Sequence, residues 1–103
     1  MFKPYALAVP EVDASTGAPQ SVAGLIGITV CVSAFTGTLR IEGTLGGGAP
    51  YCEEQTVTGN GVDPVTFDIS SAFSAIRVYR VSVTGAVPSV TANGRRRDDG
   101  ACG

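Results

Sequence analysis

The 103-residue sequence contains no histidine and no tryptophan. Without histidine, the chain cannot build a histidine-based catalytic triad, an imidazole general base or a histidine-ligated metal site. Without tryptophan, it lacks the largest aromatic side chain for stacking against a sugar. Charged residues make up 16% of the sequence and the formal net charge is −2. This small, nearly balanced charge argues against a protein that binds nucleic acid over its whole surface.

Good helix formers are also scarce, since the chain has only four leucines, one methionine and a single lysine. Valine and threonine are abundant, and both fit the pleated, half-buried surface of a β-sheet. Glycine and proline signals mark turns at roughly ten-residue spacing, as in antiparallel β-proteins. The sequence therefore predicts an all-β fold, an antiparallel β-sandwich or jelly roll of about six to eight short strands.

Two strands with clear alternation are predicted at residues 26–34 and 38–45. The short segment FTG between them predicts that they form a hairpin. Further strands are predicted at residues 51–58, 65–69 and 88–93. The inward-facing residues expected from the first two strands are Ile28, Val30, Val32, Leu39, Ile41 and Leu45.

Residues 74–85 form the longest strand candidate, but the apolar positions change phase within it. Ile76 and Val78 share one face, whereas Tyr79, Val81 and Val83 share the other. Either both faces are buried or a β-bulge resets the phase. We favour a bulge near Tyr79.

The ends of the chain differ in composition from its middle. Residues 1–21 carry three prolines and predict an extended N-terminal arm with one edge strand. Residues 22–94 form the predicted sandwich, and residues 95–103 a polar C-terminal tail expected to be disordered. Because apolar residues of the arm alternate between prolines, outside the main strands, we predict that they contact a partner. The predicted partner-binding residues are Phe2, Tyr5, Leu7 and Val9 of the arm and, for an acidic surface, Arg95, Arg96 and Arg97 of the tail.

The three cysteines, Cys31, Cys52 and Cys102, match no zinc-binding spacing. We interpret two of them as small buried thiols and the third as an exposed thiol on the tail. A disulfide between Cys31 and Cys52 on adjacent strands remains an open alternative.

No motif indicates catalysis or a cofactor. Glu53 and Glu54 are adjacent and should point to opposite faces of a strand. The triple glycine at residues 46–48 lacks the lysine and the helix of a phosphate-binding loop. No aspartate run has the spacing of a calcium loop. We therefore predict no enzymatic activity, no cofactor and no metal.

Three arginines are predicted on strands. Arg77 and Arg80 should lie on opposite faces unless the bulge reorients one of them. We interpret these two and Arg40 as partners in cross-strand ion pairs with a carboxylate. The expected carboxylates are Glu42, Glu54 and Asp68.

Two segments, FTGTLRIEGTL at residues 35–45 and SAIRVYRVSVTGAVPSVTANG at residues 74–94, resemble a known family. They are similar to small β-sandwich virion proteins of tailed bacteriophages, which serve as capsid decoration (cement) subunits, head fibres or tail accessory proteins. The resemblance covers about a third of the chain. In such proteins an extended arm commonly reaches a neighbouring subunit, and the assembly is symmetric.

The resemblance implies a structural virion protein that binds and stabilises a bacteriophage capsid through strand edges and its N-terminal arm. The implied partners are the major capsid protein or another virion protein, together with further copies of the chain. The implied location is the virion, assembled in the host cytoplasm. A tail or head-fibre accessory protein and a small carbohydrate-binding module are the alternatives. We expect neither a membrane nor a nucleic-acid partner.

Overall fold

A computed structural model describes residues 2–96 and the side chains of residues 4–95. The described residues form nine strands in two antiparallel sheets and no helix, which confirms the all-β antiparallel sandwich. None of them forms a helix long and apolar enough to cross a membrane. The strands are β1 (Phe2–Leu7), β2 (Ser15–Thr16), β3 (Gln20–Ser21), β4 (Leu25–Val32), β5 (Thr36–Thr44), β6 (Cys52–Asn60), β7 (Val65–Asp68), β8 (Ala75–Thr84) and β9 (Val90–Arg96).

The strand order defines the edges of each sheet. The first sheet has the order β1-β9-β4-β7, and the second has the order β2-β8-β5-β6. The short strand β3 pairs with β8, on the same side as β2. The two-residue strands β2 and β3 lie in the N-terminal segment that was predicted to contain a single edge strand, so the strand count exceeds the predicted range.

The predicted alternation places the core correctly at most positions. Ile28, Val30 and Val32 of β4 are buried against Leu39 and Ile41 of β5. Alternate positions on the two strands thus supply the facing layers of one apolar core.

Leu45, which the same alternation placed in the core, is 65% exposed. Strand β5 ends at Thr44, and Gly46 then adopts a positive φ of 90°. The chain therefore leaves the sheet before Leu45 can face inward, and the prediction for this residue is wrong.

The predicted hairpin between β4 and β5 is also wrong. Strand β4 pairs with β7 and β9 in the first sheet, whereas β5 pairs with β6 and β8 in the second. The short connection that includes Phe35 crosses from one sheet to the other, and Phe35 is buried in the core. Alternation determines which face of a strand is buried, but it does not determine the strand's hydrogen-bonding partner.

The predicted bulge is present in β8 and lies at Val81, two residues after Tyr79. Thr38 of β5 pairs with Ser82 and Leu39 pairs with Arg80, so Val81 is the extra residue. The phase change turns Val83 back to the core, while Arg80 stays on the inner face with Ile76 and Val78.

The N-terminal segment is part of the sandwich. Strand β1 pairs with β9 at the edge of the first sheet, which confirms the predicted edge strand. Leu7 is 5% exposed and belongs to the core, with Tyr5 and Val9 packed against it. The interpretation of these apolar residues as lying outside the main strands is therefore corrected, because β9 offers β1 a ladder partner.

The last strand extends farther than predicted. Arg95 and Arg96 belong to β9, where Arg95 pairs with Phe2 and Ile26. The predicted tail therefore does not begin at residue 95. Residues 97–103, including Arg97, lie outside the described residues.

Candidate interaction surfaces

The edge strands of the two sheets differ in how well they are protected against pairing with another chain. Strand β1 carries Lys3 and Pro4, a charge and a residue without a backbone donor. Strand β7 has four residues, and β2 and β3 have two each. Strand β6 has nine residues and no proline. Among the described strands, β6 is the longest that pairs on one side only.

The pairing with β5 determines which residues of β6 point their backbone N–H and C=O groups towards the free edge. The Gly61 N–H donates to the Phe35 carbonyl oxygen at 2.7 Å, in the register that pairs Thr36 with Asn60. Backbone groups alternate sides along an antiparallel strand, so Gly59 and Val57 also face β5. The residues whose backbone N–H and C=O groups face away from β5 are Thr56, Thr58 and Asn60, and the side chains of all three are exposed.

The charge along the edge is confined to its start. Glu53 and Glu54 follow Cys52, the first residue of the strand, and the register shift opposite Ile41 and Glu42 makes Glu54 the extra residue of a bulge. Residues 55–60, QTVTGN, carry no charge. The uncharged part therefore lies in the regular section of the ladder, after the bulge.

Packing and a turn hold this section in place from both sides. Val57 is buried in the core. The Asn60 Oδ1 accepts hydrogen bonds from the backbone N–H groups of Val62 and Asp63, at 2.8 Å and 2.9 Å. This turn ends the strand, so residues 55–60 present an ordered edge and not a loose segment.

A second surface lies on the outer face of the same sheet, around Glu42. The Glu42 carboxylate accepts from the Arg40 Nε at 3.0 Å and from the Arg77 Nε at 2.8 Å. The contact between Arg77 and Glu42 is the predicted cross-strand ion pair, and Arg40 joins it from within β5. Glu42 is 8% exposed because the two arginines cover it.

Two tyrosines complete this cluster, each beneath one guanidinium group. The Arg40 guanidinium carbon lies 4.3 Å from the centre of the Tyr79 ring, and that of Arg77 lies 3.8 Å from the centre of the Tyr51 ring. Cation–π contact of this kind fixes the guanidinium planes over the rings. One face of each tyrosine ring is therefore occupied by an arginine.

Arg80 has a structural partner that the sequence did not indicate. It is 5% exposed, and both terminal nitrogens donate to the Glu11 carbonyl oxygen, Nη1 at 2.7 Å. Its Nε lies 3.4 Å from the Asp13 Oδ1, an ion-pair distance without hydrogen-bond geometry. The expectation of a pair with Glu42, Glu54 or Asp68 is wrong for Arg80, because Arg80 points inward and those carboxylates do not.

The backbone at the start of the predicted N-terminal arm lies beside the backbone at the start of the predicted C-terminal tail, so the two groups of predicted partner-binding residues are neighbours. Phe2 of β1 is paired with Arg95 of β9, so the start of the N-terminal strand lies beside the first arginine of the basic run. Arg95 is exposed. The side chains of Phe2 and Arg96, and the whole of Arg97, lie outside the described residues.

The cysteines differ from expectation. Cys31 and Cys52 are both exposed free thiols. Cys31 belongs to β4 of the first sheet and Cys52 to β6 of the second. They are therefore neither buried nor joined to each other, and the two strands are not adjacent as the disulfide alternative required. Cys102 lies outside the described residues.

Within residues 2–96, no group of three or more cysteine, aspartate or glutamate side chains is placed to hold a metal ion. Comparison of the chain with protein-family models, curated proteins and solved structures finds no match.

Proposed function

We propose that this protein is a structural subunit of a bacteriophage virion that binds and stabilises the capsid, and that the open edge of β6 is its main assembly contact. The resemblance of residues 35–45 and 74–94 to virion sandwich proteins supports the choice of partner. The choice of β6 as the assembly contact rests on one observation, which is that residues 55–60 form an uncharged edge without proline. An exposed edge of this kind pairs readily with another strand.

The N-terminal strand supplies a second contact in this proposal. Tyr5 and Val9 are half-buried in the sandwich, and the start of β1 adjoins Arg95. This corner would present an apolar strand next to positive charge, which suits an acidic surface on the major capsid protein. The proposed location remains the virion, with assembly in the host cytoplasm.

The carbohydrate-binding alternative receives less support. Sugar recognition by stacking requires exposed faces of aromatic rings. Tyr51 and Tyr79 lie on the outer face of the second sheet, but guanidinium groups cover them. A sugar would have to displace an arginine that also binds Glu42.

Co-sedimentation with phage particles stripped of accessory subunits tests the proposal, with copy number measured by quantitative mass spectrometry. We expect saturation at a fixed, symmetric and large number of copies per particle. Saturation at a handful of copies would replace the capsid contact with the tail or head-fibre alternative. The absence of binding would contradict a virion role, and a glycan array would then test the alternative module.

A charge substitution on the edge tests the assigned contact. Thr58→Lys places a charge at the centre of residues 55–60 and should reduce the bound copy number by about tenfold or more. Ser82→Lys is the matched control, because Ser82 is exposed and lies in the same cross-strand row on β8, two strands away from β6. Equal binding of the two variants would rule out β6 as the contact.

A further inference from the structure

We propose that the strand that pairs with β6 is β6 of a second copy, arranged antiparallel about a two-fold axis at Thr58. This inference rests on the proposed role of the β6 edge in assembly and names the occupant of that edge. It implies that the subunit reaches the capsid as a dimer in which the two second sheets form one continuous sheet.

The hydrogen-bonding phase of β6 fits this pairing. The residues whose backbone faces the free edge are Thr56, Thr58 and Asn60, as the bond from Gly61 to Phe35 shows. Around an axis at Thr58, Thr58 meets its own symmetry mate and Thr56 meets Asn60. Each N–H group in these three positions therefore faces a carbonyl oxygen of the other copy. None of the three is a proline, so each can donate. At Thr56 the incoming strand displaces the exposed Gln55 side chain, whose Nε2 donates to the Thr56 carbonyl oxygen at 3.5 Å.

The side-chain directions fit as well. A two-fold axis perpendicular to the sheet keeps the core face of one copy on the same side as that of the other. Residues opposite each other in an antiparallel pair point to the same face. The register about Thr58 pairs even-numbered residues with even-numbered ones and Val57 with Gly59. A small residue thus lies opposite the buried valine, and the outer-face threonines lie opposite polar residues.

The uncharged window and the bulge at Glu54 favour this register over one shifted towards the start of β6. Like charges directly opposite each other on paired strands are destabilising. In the register about Thr58, the paired window is residues 56–60, which contains no charged residue. Glu53 and Glu54 lie outside this window. The two glutamates of one copy lie at one end of the window and those of the other copy lie at the opposite end. A shift of the axis towards the start of β6 would draw the Glu54 bulge into the ladder.

The other strand edges explain why the pairing is confined to one side of each copy. β1 contains Lys3 and Pro4, β7 has only four residues and ends in Asp68, and β2 and β3 are two residues long. With one regular, unprotected edge among the strands of residues 2–96, two copies form a closed pair and not an open fibre.

A charge-swap experiment tests the pairing. Sedimentation velocity of the full chain should give a species of twice the 10.4 kDa monomer mass at high protein concentration. Thr58→Lys and Thr58→Glu should each be monomeric, because each places like charges opposite one another at the axis. A 1:1 mixture of the two should restore the dimer, since lysine then faces glutamate. Ser82→Lys and Ser82→Glu should remain dimeric.

Cysteine cross-linking provides a second test that does not depend on a charge at the edge. The background is Cys31→Ser, Cys52→Ser and Cys102→Ser. Directly opposite residues of a hydrogen-bonded antiparallel pair have Cα atoms about 5.5 Å apart, within the range of a disulfide. Thr58→Cys should therefore give a disulfide-linked dimer under mild oxidation, and Ser82→Cys should not.

The outcomes separate this inference from the proposed function. A wild-type chain that stays monomeric at every concentration, or a Thr58→Lys variant that dimerises like the wild type, would overturn the pairing. Particle binding by a chain that is monomeric on the particle would also overturn it and would leave the virion role intact. A dimer that shows the charge-swap rescue but binds no particle would support the pairing and contradict the virion role.

Discussion

At the scale of single residues, the most informative side chain is Arg80. It points into the sandwich and binds the backbone of the segment that follows β1, through the carbonyl oxygen of Glu11. Asp13 adds an ion pair to Arg80 and accepts a hydrogen bond from the Val83 N–H at 3.1 Å. These contacts hold the connection between β1 and β2 against β8. The N-terminal segment is thus attached to the core by polar contacts as well as by Leu7.

Replacement of Arg80 tests this attachment. Arg80→Met keeps much of the side-chain volume and removes the hydrogen bonds and the ion pair. We expect the free energy of unfolding to fall by about 2 kcal/mol, because the hydrogen bonds that the buried, charged Arg80 donates to the Glu11 carbonyl oxygen are lost. Urea denaturation measures the change.

Arg95→Met is the control for the Arg80 variant, since Arg95 lies exposed on β9. An exposed substitution of this kind should change stability by less than about 0.5 kcal/mol. Equal losses for the two variants would show that Arg80 does not hold the N-terminal segment in place.

At the scale of the strands, two glycines make room for the phenylalanines that close the ends of the core. A Cβ atom on Gly43 would lie 2.6 Å from the Phe73 ring. A Cβ atom on Gly59 would overlap the backbone carbonyl oxygen of Phe35. Gly43 interrupts the apolar alternation of β5 for this reason.

The two glycines should differ in their tolerance of a methyl group. The obstacle at Gly59 is backbone that cannot move away, whereas the obstacle at Gly43 is a side chain that can rotate. We expect Gly59→Ala to lower the free energy of unfolding by about 2–3 kcal/mol and Gly43→Ala by about 1 kcal/mol. Thermal or urea unfolding of both variants measures the difference. The reverse order would contradict this explanation of the glycines.

The sequence predicts the strands of this protein better than it predicts their neighbours. Alternation located the core positions of β4 and β5, since burial on one face imposes a period of two. The same pattern could not show that these strands lie in different sheets, because a tight turn and a crossover between sheets both require only a few residues. Pairing of Arg80 with Asp13 was missed for a related reason. It depends on a contact between β8 and a segment that the sequence placed outside the sandwich.

At the scale of the whole molecule, strand order decides which strand is open to pairing. The sequence shows that residues 55–60 are uncharged and free of proline. Only the order β2-β8-β5-β6 shows that this segment lies at an edge. The candidate contact therefore could not be found from the sequence alone. In contrast, Glu42 was among the carboxylates predicted from the sequence as cross-strand partners of Arg77, and the structure shows that ion pair.

Amide hydrogen exchange, resolved by residue in NMR spectra, tests most directly whether the edge of β6 is covered on assembly. In dilute protein, the N–H groups of Thr56, Thr58 and Asn60 should exchange quickly, while those of Val57 and Gly59 are protected by β5. As the protein concentration is raised, exchange of the first three should slow in proportion to the assembled fraction. Exchange at these three positions that is independent of assembly would contradict the assignment of β6 as the assembly contact.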